Sequence, residues 1–580
     1  MARLDGTLDY PAAGRRGERP TPRPGPGGRR RGLRLAVAWL LLGVVAAGAA
    51  AGALAGVAMA PPHRRPLAGT TLSGTIRAPG GPFLYDRYGR VVILHGVDVV
   101  YKHPPYEVYP DPGKPWNFDA ADARRIARLG FDVVRLGIMW AGLEPGTAHA
   151  NDPAICRPGP PGNPHQFDAA VLHRYLVHVR HTVDLLGRYH VYTLLDMHQD
   201  VYNQMFEGEG APDWAVCTDG VRSVDPPGRW SLEYATPAAG IAYHHFWTND
   251  VVGDLQGQYD MVWRKVAAFF AGDPWVVGYD PFNEPFSTSV LRRGGEHFDG
   301  QLECFYTGTA HVGAPLPGAP PIRCPVDDPK VGVIPTILRA DRHHLVFFEP
   351  DVYSSRGFPS YLGPMDFERL VYNFHVYCPD RNPVTGNPTN VRSCAVHDAL
   401  GILRRSADRS HLASRAQPGG PAWFSSEWGA SSDVALLGRV ADYFDDELLG
   451  WAYWSWKYYD DPTGSRDEAL VRADGRLRPT VEVLSRTYAE AIAGTPLAMS
   501  FDPSNGAFAL RYRADRRVHA PTIVEVPTAV HYPHGYCARV TGGRVVSPRG
   551  SQHLEVLDAR RAQVVTVRVS AGRCRSRTRT

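Results

Sequence analysis

The feature that most constrains this chain is a rhythm. Eight short apolar runs, at 91–100, 133–140, 191–197, 276–282, 345–348, 370–376, 423–426 and 449–456, are separated by longer stretches with helical periodicity. Runs of that length suit strands buried on both faces, and strands alternating with helices pair in parallel with the helices outside. Between the first two runs, Asp119-Ala-Ala-Asp122 can cap a helix that ends at Gly130, and Asp168 opens another that Gly187 stops. Segments 254–270 and 432–449 read as further amphipathic helices. Eight such units predict a (β/α)8 TIM barrel over 71–495. Gly/Pro-rich insertions at 147–166, 203–248 and 287–330 belong to the loop side, where a binding cleft is built. Aromatic residues inside them, Phe206, Trp214, Trp230, Tyr234, Phe246 and Trp247, can line an apolar groove or pack a loop subdomain.

Outside the barrel the pattern changes. Runs at 83–86 and 91–94 suggest a hairpin across Arg87-Tyr88-Gly89. After residue 495, short alternating runs separated by turn residues predict a small antiparallel β-sandwich domain over 496–574. The formal charge of +4 hides a division. Nine arginines against three acids make residues 1–34 a basic tail, expected to be disordered, and four more arginines follow Ala571, so the remainder is net acidic. Positive charge confined to the ends argues against a nucleic-acid partner. Residues 35–60 carry no charge and follow Arg29, Arg30, Arg31 and Arg34. They read as a transmembrane signal anchor, the favoured reading, or as a cleaved signal peptide. Both place the body outside the cytoplasm, and the first makes the membrane a partner. The eight cysteines form no Cys-x-x-Cys, and there is no His-Glu-x-x-His, so zinc-ligand spacing is absent and disulfides are expected. Pairing of sequence neighbours is one of many connectivities that the spacing allows.

The chemistry is expected at the C-terminal ends of the strands, where catalytic groups of a parallel barrel converge. Glu284, in Asn283-Glu284-Pro285, ends the fourth run, and Glu427 ends the seventh. Two strand-end glutamates are what a double-displacement glycosidase requires, one to protonate the leaving oxygen and one to attack the anomeric carbon. Other strand ends offer Lys102, Arg135, His198, Asp200, His375, Tyr377, Trp454 and Trp456. Arg135 can pair with any buried acid, and beside Glu427 it would keep a nucleophile ionised. His198 and His375, taken singly, are as well explained as hydrogen-bonded core residues, and Asp196 reads as structural. Glu349 also precedes a proline and rivals Glu284, but it lacks the preceding Asn whose amide can hold a sugar 2-hydroxyl. This chemistry calls for no metal or organic cofactor.

Phe282-Asn-Glu-Pro285 and Ser426-Glu-Trp-Gly429, with the rim Arg, His and Trp, resemble glycoside hydrolase family 5. The stretch from Leu94 to Tyr106, Asp196-Met-His-Gln-Asp200 and Trp456-Lys-Tyr-Tyr-Asp-Asp461 resemble its endoglycoceramidase-related branch. The resemblance implies a retaining enzyme that cleaves between glycan and lipid in glycosphingolipids. It implies Glu284 as acid/base and Glu427 as nucleophile, with Lys102, His198, Asp200, Asn283, Tyr377 and Trp454 as glycone contacts; the Tyr-Trp-Ser context favours Trp454 over Trp456 as platform. A β-glucosidase or endoglucanase on soluble glucans or sterol glucosides is the alternative enzyme. A surface protein that binds carbohydrate or glycolipid without turnover is the alternative outside enzymes.

Overall fold

The structure is a computed structural model that describes residues 68–162, 167–224, 230–287, 295–310, 324–325, 328, 330–356, 360–377, 405–464 and 466–574. A hairpin of β1 (Leu84–Tyr85) and β2 (Val91–Val92) precedes eight parallel strands. These are β3 (His95–Val99), β4 (Val133–Ile138), β5 (Tyr192–Met197), β6 (Val276–Asp280), β7 (Leu345–Phe348), β8 (Leu370–Val376), β9 (Ala422–Trp428) and β10 (Gly450–Tyr453). They close in sequence order, with β10 beside both β9 and β3, into one barrel. Every residue of the eight strands is buried, which is why each reads as an unbroken apolar run rather than an alternation.

The intervening helices begin where their caps place them. Asp119 and Asp122 form a capping box at the start of helix Ala120–Arg128, and Asp168 caps helix Ala169–Gly187. Closure is tight at Gly96, which pairs with Ala452 on one side and Val133 on the other. A Cβ at that glycine would lie 2.2 Å from the Val133 carbonyl oxygen.

One run is divided between two sheets. The first apolar stretch reads as a single strand, yet Val91 and Val92 pair antiparallel with β1 and with β11 (Tyr488–Ile492), and only His95–Val99 enters the barrel. The remaining strands are β12 (Gly494–Asp502), β13 (Ala507–Ala514), β14 (Thr522–Glu525), β15 (Tyr536–Thr541), β16 (Gly543–Val545), β17 (His553–Asp558) and β18 (Val564–Ala571). They complete an antiparallel β domain of two sheets, ordered β1-β2-β11-β14-β17-β16 and β12-β13-β18-β15. Val91, Ile492, Val524 and Leu554 from the first sheet share a core with Phe508, Leu510, Val567 and Val569 from the second. The opposite face of the six-stranded sheet, through Ala491 and Ile523, packs with Leu94, Val133, Leu194 and Val277 at the barrel floor. The domain thus plugs the end of the barrel remote from the catalytic rim.

Disulfides Cys156–Cys217, Cys304–Cys324 and Cys537–Cys574 join sequence neighbours among the cysteines; Cys378 and Cys394 lie outside the described residues. Cys156–Cys217 ties the insertion after β4 to the one after β5. Of the insertion aromatics, Phe206, Trp214, Phe246 and Trp247 are buried in the main core, so these four pack the loops rather than line an open groove. The transmembrane expectation is corrected: no helix among the described residues is long and apolar enough to cross a membrane. Residues 1–34 and 35–60, on which the tail and anchor expectations fall, lie outside the described residues.

Gly96→Ala forces a methyl group into the β4 backbone and should destabilise the barrel by about 2–3 kcal/mol, read from urea unfolding. A variant as stable as the parent would show that β3 and β4 are free to separate there.

Candidate active site

Side chains from β3, β5, β6 and β9, and one that follows β7, converge on a guanidinium carried by β4. Arg135, on β4, is wholly enclosed. Its Nη1 lies 2.5 Å from Glu427 Oε1 and 3.6 Å from Asp98. Its Nη2 lies 2.9 Å from Asp280, 3.0 Å from Asp196 and 3.1 Å from Glu349, and donates to Asn283 Oδ1 at 2.8 Å. One cation therefore faces five buried carboxyl groups. Burial, with Glu427 adding to it, pushes Asp98 well above the usual carboxylate range; burial and Glu349 do the same to Asp280. Both move toward the neutral form, which eases the excess of negative charge.

Glu427 ends β9, inside the strand rather than beyond it, because the seventh strand runs two residues further than its apolar run. Arg135 holds one of its oxygens, and Tyr377 donates to the other at 2.7 Å. Glu284 follows β6 and faces it. The backbone of Glu284 is left-handed, with φ of 43°, a conformation that costs a non-glycine residue about 1–3 kcal/mol and needs external support. Support is present: its N–H donates to Glu349 Oε2 at 3.0 Å, and Gln199 Nε2 donates to the carbonyls of Asn283 and Glu284. Glu349, the rival of Glu284 by sequence, sits beneath the pair, joined to Arg135, to the Glu284 amide and to His375.

His375 connects the two glutamates. Its Nδ1 is 2.8 Å from Glu284 Oε1 and 3.4 Å from Glu427 Oε2, and its Nε2 is 3.1 Å from Ser426 Oγ. Against burial, which lowers it, the Glu349 and Glu427 carboxylates raise the imidazole well above its ordinary value, so Nδ1 carries a proton toward Glu284. Burial raises Glu284, His375 pulls it back, and the charge of Glu427 raises it again; the net direction is upward. Single ligand atoms of Glu284, His375 and Glu427 all lie within 4.8 Å of one another. An imidazolium between two carboxyl groups accounts for that closeness.

A second group flanks the pair. Lys102 Nζ lies 2.5 Å from Asp200, 2.5 Å from Thr463 Oγ1, 3.2 Å from Asp461 and 3.4 Å from Glu209. It stands 4.6 Å from the centre of the Trp454 ring, on which His198 also stacks. His198 Nδ1 gives a hydrogen bond to Asp196 at 2.8 Å, and against burial that acid raises it to about 10. The ten residues that sequence assigns to catalysis or sugar binding thus fall in one connected network, the two groups being joined through Asp196, which contacts both Arg135 and His198. Trp456 is not: it is fully buried, with its indole N–H on Asp122. Sequence reasoning missed Asp98, Asp280, Glu209, Asp461 and Thr463. Asp98 and Asp280 were visible as acids inside apolar runs, and Asp461 and Thr463 follow the eighth strand closely enough to have been read as rim; Glu209 carries no signal of its own.

Comparison with known proteins follows the same lines. The family model described as Cellulase (glycosyl hydrolase family 5) matches residues 113–460, and that of the glycoside hydrolase family 5 C-terminal domain matches 486–569. Endoglycoceramidase I of Rhodococcus hoagii is 28% identical over 84% of this chain and 87% of its own length; endoglycoceramidase of Hydra vulgaris is 25% identical over 83% and 86%. Among solved structures, endo-glycoceramidase II from Rhodococcus sp. in complex with ganglioside GM3 superimposes with a TM-score of 0.65 at 25% identity, over 85% of this chain and all of that one.

Arg135→Lys replaces a planar fork by a point charge that cannot reach all its partners. Because it leaves buried carboxylates unpaired, it should lower stability by about 3 kcal/mol, measured by denaturant unfolding. An unchanged midpoint would show that the acids are neutral without the guanidinium.

Proposed function

From a chain that belongs to glycoside hydrolase family 5, we propose a retaining β-glycosidase that separates glycan from lipid in glycosphingolipid-like substrates. The observation that carries the reading is the facing pair: one carboxyl oxygen of Glu284, in the turn after β6, and one of Glu427, the penultimate residue of β9, lie within 4.8 Å of each other. Retaining glycosidases hold their two carboxyl groups about 5–5.5 Å apart, whereas inverting ones leave about 6.5–9.5 Å for a water. The glycolipid part draws its support from the relatives, which are endoglycoceramidases, and from the structural neighbour bound to ganglioside GM3.

In the first step Glu427, as the carboxylate, attacks the anomeric carbon, and its bond to that carbon forms as the bond to the leaving oxygen breaks. Glu284, whose neutral form burial favours, protonates that oxygen and lipid departs. In the second step Glu284, now ionised, takes a proton from water; the water oxygen displaces Glu427, and the sugar leaves with its configuration retained. Tyr377 and Arg135 fix the aim of Glu427 in both steps. Arg135, His375, Asn283, Lys102, His198, Asp200 and Trp454 form the sugar site, with Trp454 as the face on which the ring lies and Asn283 beside the 2-hydroxyl. The disulfides fit an extracytoplasmic enzyme, since such bonds persist in oxidising compartments.

Three measurements test this. Glu427→Gly should lose hydrolysis and, with azide, yield the glycosyl azide of inverted configuration; full activity in that variant would remove Glu427 from the role. Glu284 must be protonated for the first step and its pKa is raised, so kcat/KM should fall as pH rises through that value. Glu284→Gln should lose this limb when assayed on an aryl glycoside whose leaving group needs no proton, and a limb that survives would assign it elsewhere. Offered glucosylceramide, a ganglioside, a sterol glucoside and cellooligosaccharides, the protein should release lipid from the first two; turnover of cellooligosaccharides alone would overturn the lipid reading, and binding without turnover throughout would overturn the enzyme.

A further inference from the structure

The loop after β5 brings a buried acid against Lys102 that the mechanism does not use. Asp200 and Glu209 pair backbone to backbone, with N···O distances of 3.1 and 2.8 Å, and close a small hairpin around Gln204–Phe206. Two glycines permit the approach: a Cβ on Gly208 would fall 1.9 Å from the Asp200 carbonyl oxygen, and Gly210 has φ of 129°. The hairpin delivers Glu209 Oε1 to 3.4 Å from Lys102 Nζ and 4.0 Å from His198 Nε2. The side chain is entirely enclosed, and neither of its oxygens has a hydrogen-bond partner.

Such a group is costly to the fold. A buried polar atom left without a hydrogen bond costs about 1–3 kcal/mol. Charge balance does not call for it either, because Asp200 and Asp461 already lie within ion-pair distance of Lys102. Asp200, Thr463 and Asp461 hold Lys102 from the loops after β5 and β10, the centre of the Trp454 ring lies 4.6 Å from its ammonium, and Glu209 adds a further contact at 3.4 Å from the hairpin.

We propose that Glu209 is a positioning residue: it fixes the Lys102 ammonium over the Trp454 face, so that the ammonium meets the hydroxyls of the sugar bound there. Glu209 does not touch the substrate and acts through Lys102. The inference rests on the glycosidase reading and adds to it the group that sets glycone affinity from behind the pocket wall.

The test is a double-mutant cycle in the full chain, with glucosylceramide as substrate. Glu209→Gln keeps the volume of the side chain and removes its charge. It should lower kcat/KM about ten-fold, mostly through KM, while Tm stays equal to the parent or rises, since a buried carboxyl without hydrogen bonds has been removed. In a Lys102→Met background the same change should cost less than about two-fold, because the group it acts through is gone. Equal losses in both backgrounds would overturn the proposal, as would activity unchanged in the parent background, or a loss that follows a fall in Tm. Glu209→Asp, which keeps the carboxyl and shortens its reach, goes through the same cycle with the same expectation of coupling, read on protein shown to be folded, and serves if the glutamine variant does not fold. A parent protein inactive on every glycoside offered would instead remove the glycosidase reading; an active parent with additive losses removes this inference alone.

Discussion

One guanidinium organises the reaction centre. Arg135 is placed by β4 at the middle of a closed sheet, where five carboxyl groups from five other strands or strand ends converge on it. Isolated carboxylates at that depth would each carry a desolvation penalty of several kcal/mol, and their mutual repulsion would add to it. The arginine makes the cluster tolerable, and proton uptake by Asp98 and Asp280 relieves what it leaves. The consequence is a rigid lattice of charge-assisted contacts in which Glu427 cannot turn away from the cavity. In the proposed reaction, a nucleophile held in this way needs no reorganisation when the anomeric centre arrives.

Glu284 is positioned by different means. Its strand ends at Asp280, and the next four residues turn through a left-handed residue that only the surrounding contacts keep in place. Glu349 supports that turn by accepting the Glu284 amide. The acid that looked like a competitor therefore serves as part of the scaffold of the proposed acid/base, and against burial its charge also raises His375, which bridges the two glutamates. Barrel geometry explains why so many titratable groups can cooperate: consecutive strand ends lie side by side, so residues far apart in sequence meet at one rim.

Much of this was legible from the chain because burial on both faces leaves a plain mark. The runs ending in Glu284 and Glu427 are apolar until the last residues, and a carboxylate there has few structural explanations. Capping at Asp119 and Asp168 was equally readable, since the signal is local. Three things were not. The run from 91 onward looks continuous, but a change of pairing partner at Ile93 and Leu94 leaves no trace in hydropathy, because both sheets bury it. The insertion aromatics could not be sorted into groove or core, since both environments are apolar. Glu209 lies in a Gly-rich loop whose contact with Lys102 is set by a hairpin, and tertiary contacts of loops have no period to detect.

The divided first run ties the two ends of the folded body together. Val92 leaves the ribosome before any barrel strand, yet its partner Ala491 comes from beyond the whole barrel. The six-stranded sheet therefore waits, with the β1–β2 hairpin showing an unpaired edge, until almost all of the chain has been made. Contacts of such separation in sequence are slow to form, so synthesis itself becomes the step during which this protein is most open to wrong pairing.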